Sequence, residues 1–199
     1  MSNGNNGTTN SRTITALVQD KPGVLARISS LFRRRGFNIQ SLAVGHSEQP
    51  GMSRMTFVVE GPPHIVRHVA AQLDKLIDVV EVEDISERNI VWRELALIKV
   101  RSTPGTRSEI LELAGIFRVN VVDIGAESLT VEITGGQAKI DSLIELLKQY
   151  GVKEVMRTGR VAIMRGTLLP GEPDGEFQTD IGRSAVGVTP APNEDSGSV

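Results

Sequence analysis

The chain has no cysteine among its 199 residues. That excludes a disulfide framework, a thiol nucleophile and a thiolate metal site. Aromatic residues make up only 4%, with one tryptophan and one tyrosine, so platforms for stacking bases are not available. Basic residues are not in excess either: the formal net charge is −2, and a general nucleic-acid binder needs cations to neutralise phosphates. No apolar run approaches the length of a membrane span, and the first residues lack a signal-peptide pattern. These absences leave a soluble cytoplasmic protein without nucleic-acid or membrane partners as the expectation. The 39% hydrophobic content is that of a globular chain with one or two real cores.

What is present begins with Asp20-Lys21-Pro22-Gly23-Val24-Leu25, lying between a strand-like and a helix-like segment. Thr13 to Gln19 alternates, with Ile14, Ala16 and Val18 on one face, and reads as a half-buried strand. Pro22-Gly23 then opens a helix whose apolar positions are Val24, Leu25, Ile28, Leu31 and Phe32, ended by Arg33-Arg34-Arg35-Gly36. Such a turn is suited to a small zwitterion. The first helical N–H groups and the positive dipole end suit a carboxylate, Gly23 permits close approach, and Asp20 offers an anion to an ammonium group. Asn38, at the start of the next strand, adds an amide that donates and accepts. Taken singly, Asp20 is equally well explained as a turn former and Asn38 as an anchor of the strand.

A second strand runs from Asn38 to His46. Its apolar parity changes between Ile39 and Leu42, which predicts a bulge near Gln40-Ser41. Pro50-Gly51 marks a turn and Arg54 to Glu60 alternates again. Gly61-Pro62-Pro63 starts a helix with the stripe Val66, Val69, Leu73 and Leu76, and Val79 to Ile85 closes the unit as a fourth strand. The order is βαββαβ, the ferredoxin-like split motif. At an offset of 82 residues the pattern recurs: Pro22-Gly23 falls on Pro104-Gly105, Ile28 on Ile110, and Asn38-Ile39 on Asn120-Val121. The predicted fold is therefore α+β, with two consecutive ferredoxin-like domains at 12–88 and 89–166. Residues 1–11 read as a disordered leader and 167–199, rich in Pro, Gly, Ser, Asp and Glu, as a mostly disordered tail.

No catalytic constellation emerges. His64 and His68 share a helix face, but no further ligand completes a metal site, and they read as surface histidines. The serines lack a matching His/Asp pair, and Gly135-Gly136 reads as a turn rather than a phosphate loop.

The motifs Asp20-Lys-Pro-Gly-Val-Leu, Leu31-Phe-Arg-Arg-Arg-Gly-Phe-Asn-Ile-Gln-Ser-Leu42, Ser53-Arg-Met-Thr56 and Gln72-Leu-Asp-Lys-Leu-Ile-Asp-Val79 resemble the regulatory (small) subunit of acetohydroxyacid synthase, also called acetolactate synthase. In the second copy Arg93-Glu-Leu-Ala-Leu-Ile-Lys-Val100 and Ile116-Phe117-Arg118 carry the same resemblance, which covers about residues 12 to 166. It implies an ACT domain followed by the family's C-terminal domain. It also implies a non-catalytic subunit with no cofactor of its own, paired with a catalytic large subunit that carries thiamine diphosphate, Mg and FAD. The implied role is activation of that subunit and feedback inhibition by valine or another branched-chain amino acid, with a homodimer formed through the ACT domain. The family's effector positions map to Asp20, Gly23 and Asn38, with Val24, Leu25 and Ile39 beside them; some members have Asn where this chain has Asp20. Alternatives from other classes are a stand-alone amino-acid sensor, a ferredoxin-like RNA binder and a small enzyme on the same fold.

Overall fold

The computed structural model describes residues 11–166, so the segments read as leader and tail lie outside the described residues save for Ser11. The first half of the described chain is built from β1 (Ser11–Gln19), α1 (Val24–Arg35), β2 (Ile39–His46), β3 (Met52–Glu60), α2 (Pro63–Leu73) and β4 (Val79–Asp84). The second comprises β5 (Ile90–Arg101), α3 (Arg107–Phe117), β6 (Asn120–Ile124), β7 (Ser128–Gly135), α4 (Gln137–Leu147), β8 (Val152–Arg157) and β9 (Val161–Met164). The sheet orders are β2-β3-β1-β4 and β6-β7-β5-β8, with every recorded pairing antiparallel. This is the βαββαβ arrangement twice, as the sequence predicts. No helix among the described residues is long and apolar enough to cross a membrane.

Alternation in the strands and the helical stripes meet in two cores. Ile14, Ala16 and Val18 of β1 and Met55, Phe57 and Val59 of β3 pack under Val24, Ile28, Leu31 and Phe32 of α1 and Val66, Val69 and Leu73 of α2. Phe32 stacks on Phe57 with ring centroids 5.4 Å apart. The second core repeats the scheme, with Ala96, Ile98 and Val100 under Ile110, Ile140, Leu143 and Leu147. The parity change in β2 is a bulge: the register on β3 shifts between Ile39 and Ser41. An equivalent shift lies between Val121 and Asp123 of β6, at the same 82-residue offset. The hairpin loop shortens from residues 47–51 in the first copy to 125–127 in the second.

Two features depart from the sequence reading. β1 is buried on both faces rather than one, since Thr13, Thr15 and Leu17 are as inaccessible as the residues facing the helices. Part of that second face is covered by β9, which the pattern did not predict. It pairs with the first residues of β5, Ile90↔Met164 through Arg93↔Val161, and its Ala162 is buried beside Thr56 and Thr15 on the helix-free face of the first sheet. β5 is thus shared between the second sheet and a two-stranded ribbon that covers the first.

Helix ends show how the copies diverged. Gly36 closes α1 in the left-handed region (φ 69°), with Phe37 N–H donating to Phe32 O at 3.1 Å and Gly36 N–H to Arg33 O at 3.2 Å, a Schellman closure. Its counterpart Arg118 (φ 52°) makes the same pair of bonds, Val119 to Ala114 and Arg118 to Gly115, although a Cβ is disfavoured there. Arg118→Gly is therefore expected to stabilise the chain by about 1 kcal/mol, and Gly36→Arg to destabilise it by a similar amount. Urea unfolding midpoints of the two variants check this.

Candidate functional site

The loop between β1 and α1 is held from both sides. Gln19 N–H donates to Asp78 O and Asp20 N–H to Gly51 O, each at 2.8 Å. Gly23, at φ 87°, is the N-cap of α1, and an added Cβ there would meet nothing within 4 Å. The space in front of the turn is open, and the backbone twist requires glycine. No side chain caps the helix and its first turn holds no acidic residue. Arg27 N–H reaches Gly23 O at 3.0 Å and Val24 N–H reaches Lys21 O at 3.4 Å, whereas the amides of Leu25 and Ala26 have no backbone acceptor among the described residues. Two unpaired donors on the positive end of a helix dipole suit a carboxylate.

Asp20 stands beside them, half exposed, with its Oδ2 3.1 Å from His46 Nδ1 at the end of β2. In the sequence His46 is only the end of the second strand; the fold brings it to Asp20. Asp78 is buried below the same loop, with Arg27 Nε 2.9 Å from its Oδ2 but off the N–H axis, an ion pair rather than an aligned hydrogen bond. The Val24 side chain belongs to the first core, so it can contribute to a ligand only through its backbone. Leu25 is exposed.

Asn38 and Ile39 do not share this place. Gln19 and His46 both lie against the start of β3, opposite Met52 and Ser53, whereas Ile39 lies opposite Val59 near its end. At about 3.3 Å per residue the two clusters of one chain are roughly 20 Å apart. Asn38 is exposed and its side chain has no hydrogen bond among the described residues, while Ile39 packs partly on the first core. β2 between them is the edge of its sheet.

The second copy has closed the corresponding positions. Ser102, at the place of Asp20, is fully buried and accepts from Arg107 Nε at 3.1 Å. Arg107 Nη2 also donates to Gly125 O at 2.8 Å and Ala126 O at 3.1 Å. Asn120, at the place of Asn38, donates to Glu132 at 3.3 Å. A guanidinium of the chain itself fills the polar ground beside the second Pro-Gly turn. His64 and His68 are both exposed, and His68 packs edge-on against Phe37. Among the described residues no group of three or more His, Asp or Glu is placed to hold a metal.

Fold and site together define a ferredoxin-like module of the ACT class. Residues 14–81 match the family model described as the AHAS small subunit-like ACT domain, and residues 93–166 match that of the small subunit of acetolactate synthase. The chain is 51% identical over 166 residues to the acetolactate synthase small subunit of Mycolicibacterium smegmatis, covering 83% of this chain and 95% of that protein. It is 52% identical over 158 residues to the one from Bacillus subtilis, covering 78% and 91%. The crystal structure of the small subunit from Thermotoga maritima superposes with a TM-score of 0.74 at 42% identity, covering 79% of this chain and 99% of that one. The chain belongs to the acetolactate synthase small-subunit family. It is accordingly a regulatory rather than a catalytic subunit, and membership implies a catalytic large subunit as its partner.

The two Pro-Gly turns make a direct test of the local geometry. Gly23→Ala is expected to cost about 1–2 kcal/mol because of its positive φ. Gly105, whose backbone lies outside that region and whose Cβ would meet nothing within 4 Å, should accept Ala without loss. Thermal unfolding of both variants separates them.

Proposed function

We propose that two copies of the chain pair along their β2 edges about a two-fold axis and bind a branched-chain amino acid, with valine as the leading candidate, at the two equivalent sites so formed. The observation that carries this is the register on β3. It sets Asp20 and Gly23 at one end of β2 and Asn38 at the other, so antiparallel pairing of two β2 edges brings Asn38 of the partner subunit to the turn of the first. The effector's carboxylate takes N–H groups near Gly23 to Leu25, where those of Leu25 and Ala26 are unpaired, and Asp20 holds its ammonium. Asn38 of the partner subunit supplies an amide to either group. The aliphatic side chain rests on Leu25 and on Ile39 of the partner subunit. Residues 12–88 then form the effector-binding ACT domain and 89–166 a C-terminal domain, within a cytoplasmic complex.

In that complex the subunit raises the activity of the catalytic subunit, which carries thiamine diphosphate, Mg and FAD, and confers feedback inhibition on it. Inhibition requires the effector to prefer one pairing arrangement over another, since a ligand bound equally to both shifts nothing. Discrimination among valine, leucine and isoleucine rests on methylene-sized differences of about 1–3 kcal/mol in an apolar pocket, set here by Leu25 and Ile39.

The test is acetolactate formation by the cognate catalytic subunit alone, with this chain, and with this chain plus valine. Stimulation reversed by valine is expected, and Asn38→Ala should keep the stimulation and lose the reversal. Normal inhibition of that variant would remove Asn38 from the site; no stimulation by the folded wild-type chain would contradict the regulatory role proposed for it.

A further inference from the structure

Away from the effector turn, a cavity of about 510 Å³ opens between the helix-free face of the first sheet and the segment Arg157–Arg160, with Gln40, Ser41, Trp92 and Gln137 on its walls. Its volume lies in the range of small-molecule sites. Of its two guanidiniums, one has its charge paired: Arg157 grips both oxygens of Glu94, at 2.8 and 2.7 Å, and also reaches Asp141 at 2.6 Å. Arg160 is different. Its guanidinium lies 4.2 Å over the Trp92 ring and donates from one nitrogen to the Thr13 hydroxyl at 2.9 Å, and among the described residues it has no carboxylate partner. Its backbone is pinned as well, since Arg160 N–H donates to Ser41 Oγ at 2.9 Å. Gly159, at φ 80°, runs so close to Ser41 that any Cβ would collide with its hydroxyl.

A partly buried cation without a counter-ion is costly. Burial pushes the Arg160 guanidinium below its ordinary value, and Glu94, which pulls the other way, is already held by Arg157. The Gln40 amide alongside is already engaged: it accepts from Ser11 and donates to Glu60. Leu42 and Val58 give part of the wall an apolar character. We propose that this cavity binds a small organic carboxylate through the unused N–H groups of Arg160, with the ligand's short aliphatic body against Leu42 and Val58. A planar carboxylate matches the guanidinium fork. None of its lining residues is assigned to the effector site, although Gln40 and Ser41 follow Ile39 along β2.

Trp92 is the single tryptophan of the chain; it lines this cavity and also the apolar one beside Ala43–His46, so the Arg160 variants, which alter only the first, assign the signal. Titration of the full chain with isobutyrate should give a saturable change in its fluorescence. The change should persist in Asn38→Ala and require at least about tenfold more ligand in Arg160→Gln, as expected for loss of a charge-assisted hydrogen bond. Arg160→Lys, which keeps the charge, should weaken binding less, and circular dichroism shows whether each variant is folded. An unchanged titration in folded Arg160→Gln, a response to inorganic phosphate but not to isobutyrate, or no saturable response in the wild-type chain would each overturn the proposal.

Discussion

β3 lies between β1 and β2, and its antiparallel ladder with both is the constraint on which the candidate site depends. On one side Ser11↔Glu60 through Gln19↔Met52 places the end of β1 at the start of β3. On the other, His46↔Ser53 places the end of β2 at the same level. Asp20, Gly23 and His46 therefore converge, while Asn38 is carried to the opposite end of an edge strand. A one-residue slip would also turn Phe57 and Val59 out of the core, so the burial that stabilises the first unit and the placement of the site groups are set by the same hydrogen bonds. The distance within one chain and the free edge of β2 are what favour a site completed by a second copy.

The internal repeat offers a control on this reading, because the second copy keeps the framework and loses the opening. Its bulge, its Schellman closure and its core all recur at the 82-residue offset. At the Pro-Gly turn, however, Ser102 is buried under Arg107, and Thr106 Oγ1 accepts from Thr103 N–H at 3.1 Å ahead of the helix. Glu109 occupies the first turn of α3, where α1 has no acidic residue. Neither helix has a side-chain cap, but Asp20 is exposed at the first turn whereas Ser102 is buried and bonded to Arg107 at the second. The physical difference between the two turns is a few groups, not a change of fold.

Much of the fold was legible because its signals are local. Alternation in Ile14-Thr15-Ala16, the stripe of α1, the Arg33–Gly36 ending and the parity change before Leu42 each report the geometry of a few consecutive residues. β9 was not, since four residues with no turn signature of their own form a strand only by pairing with β5. The burial of Thr13, Thr15 and Thr56 follows from that tertiary cover and reads in sequence as ordinary polar alternation. Within the site, Asp20, Gly23 and Asn38 carry turn and strand-end signals, and the resemblance linked them. His46 does not, nor do Arg107 and Arg160 outside it. Their partners lie 26 residues away for His46 and 147 for the contact of Arg160 with Thr13, and no spacing rule spans such separations.

The central claim, that each effector site is divided between two copies, is tested most directly by mixing chains. Asp20→Ala and Asn38→Ala protein, each defective in valine binding by isothermal titration calorimetry, are combined and allowed to exchange subunits. If Asp20 of one copy works with Asn38 of the other, a mixed dimer has one doubly damaged site and one intact site. Binding of valine should then reappear, at one site per mixed dimer and with the wild-type affinity. Continued absence of binding after exchange has been verified would contradict the divided site and the β2-edge pairing on which it rests.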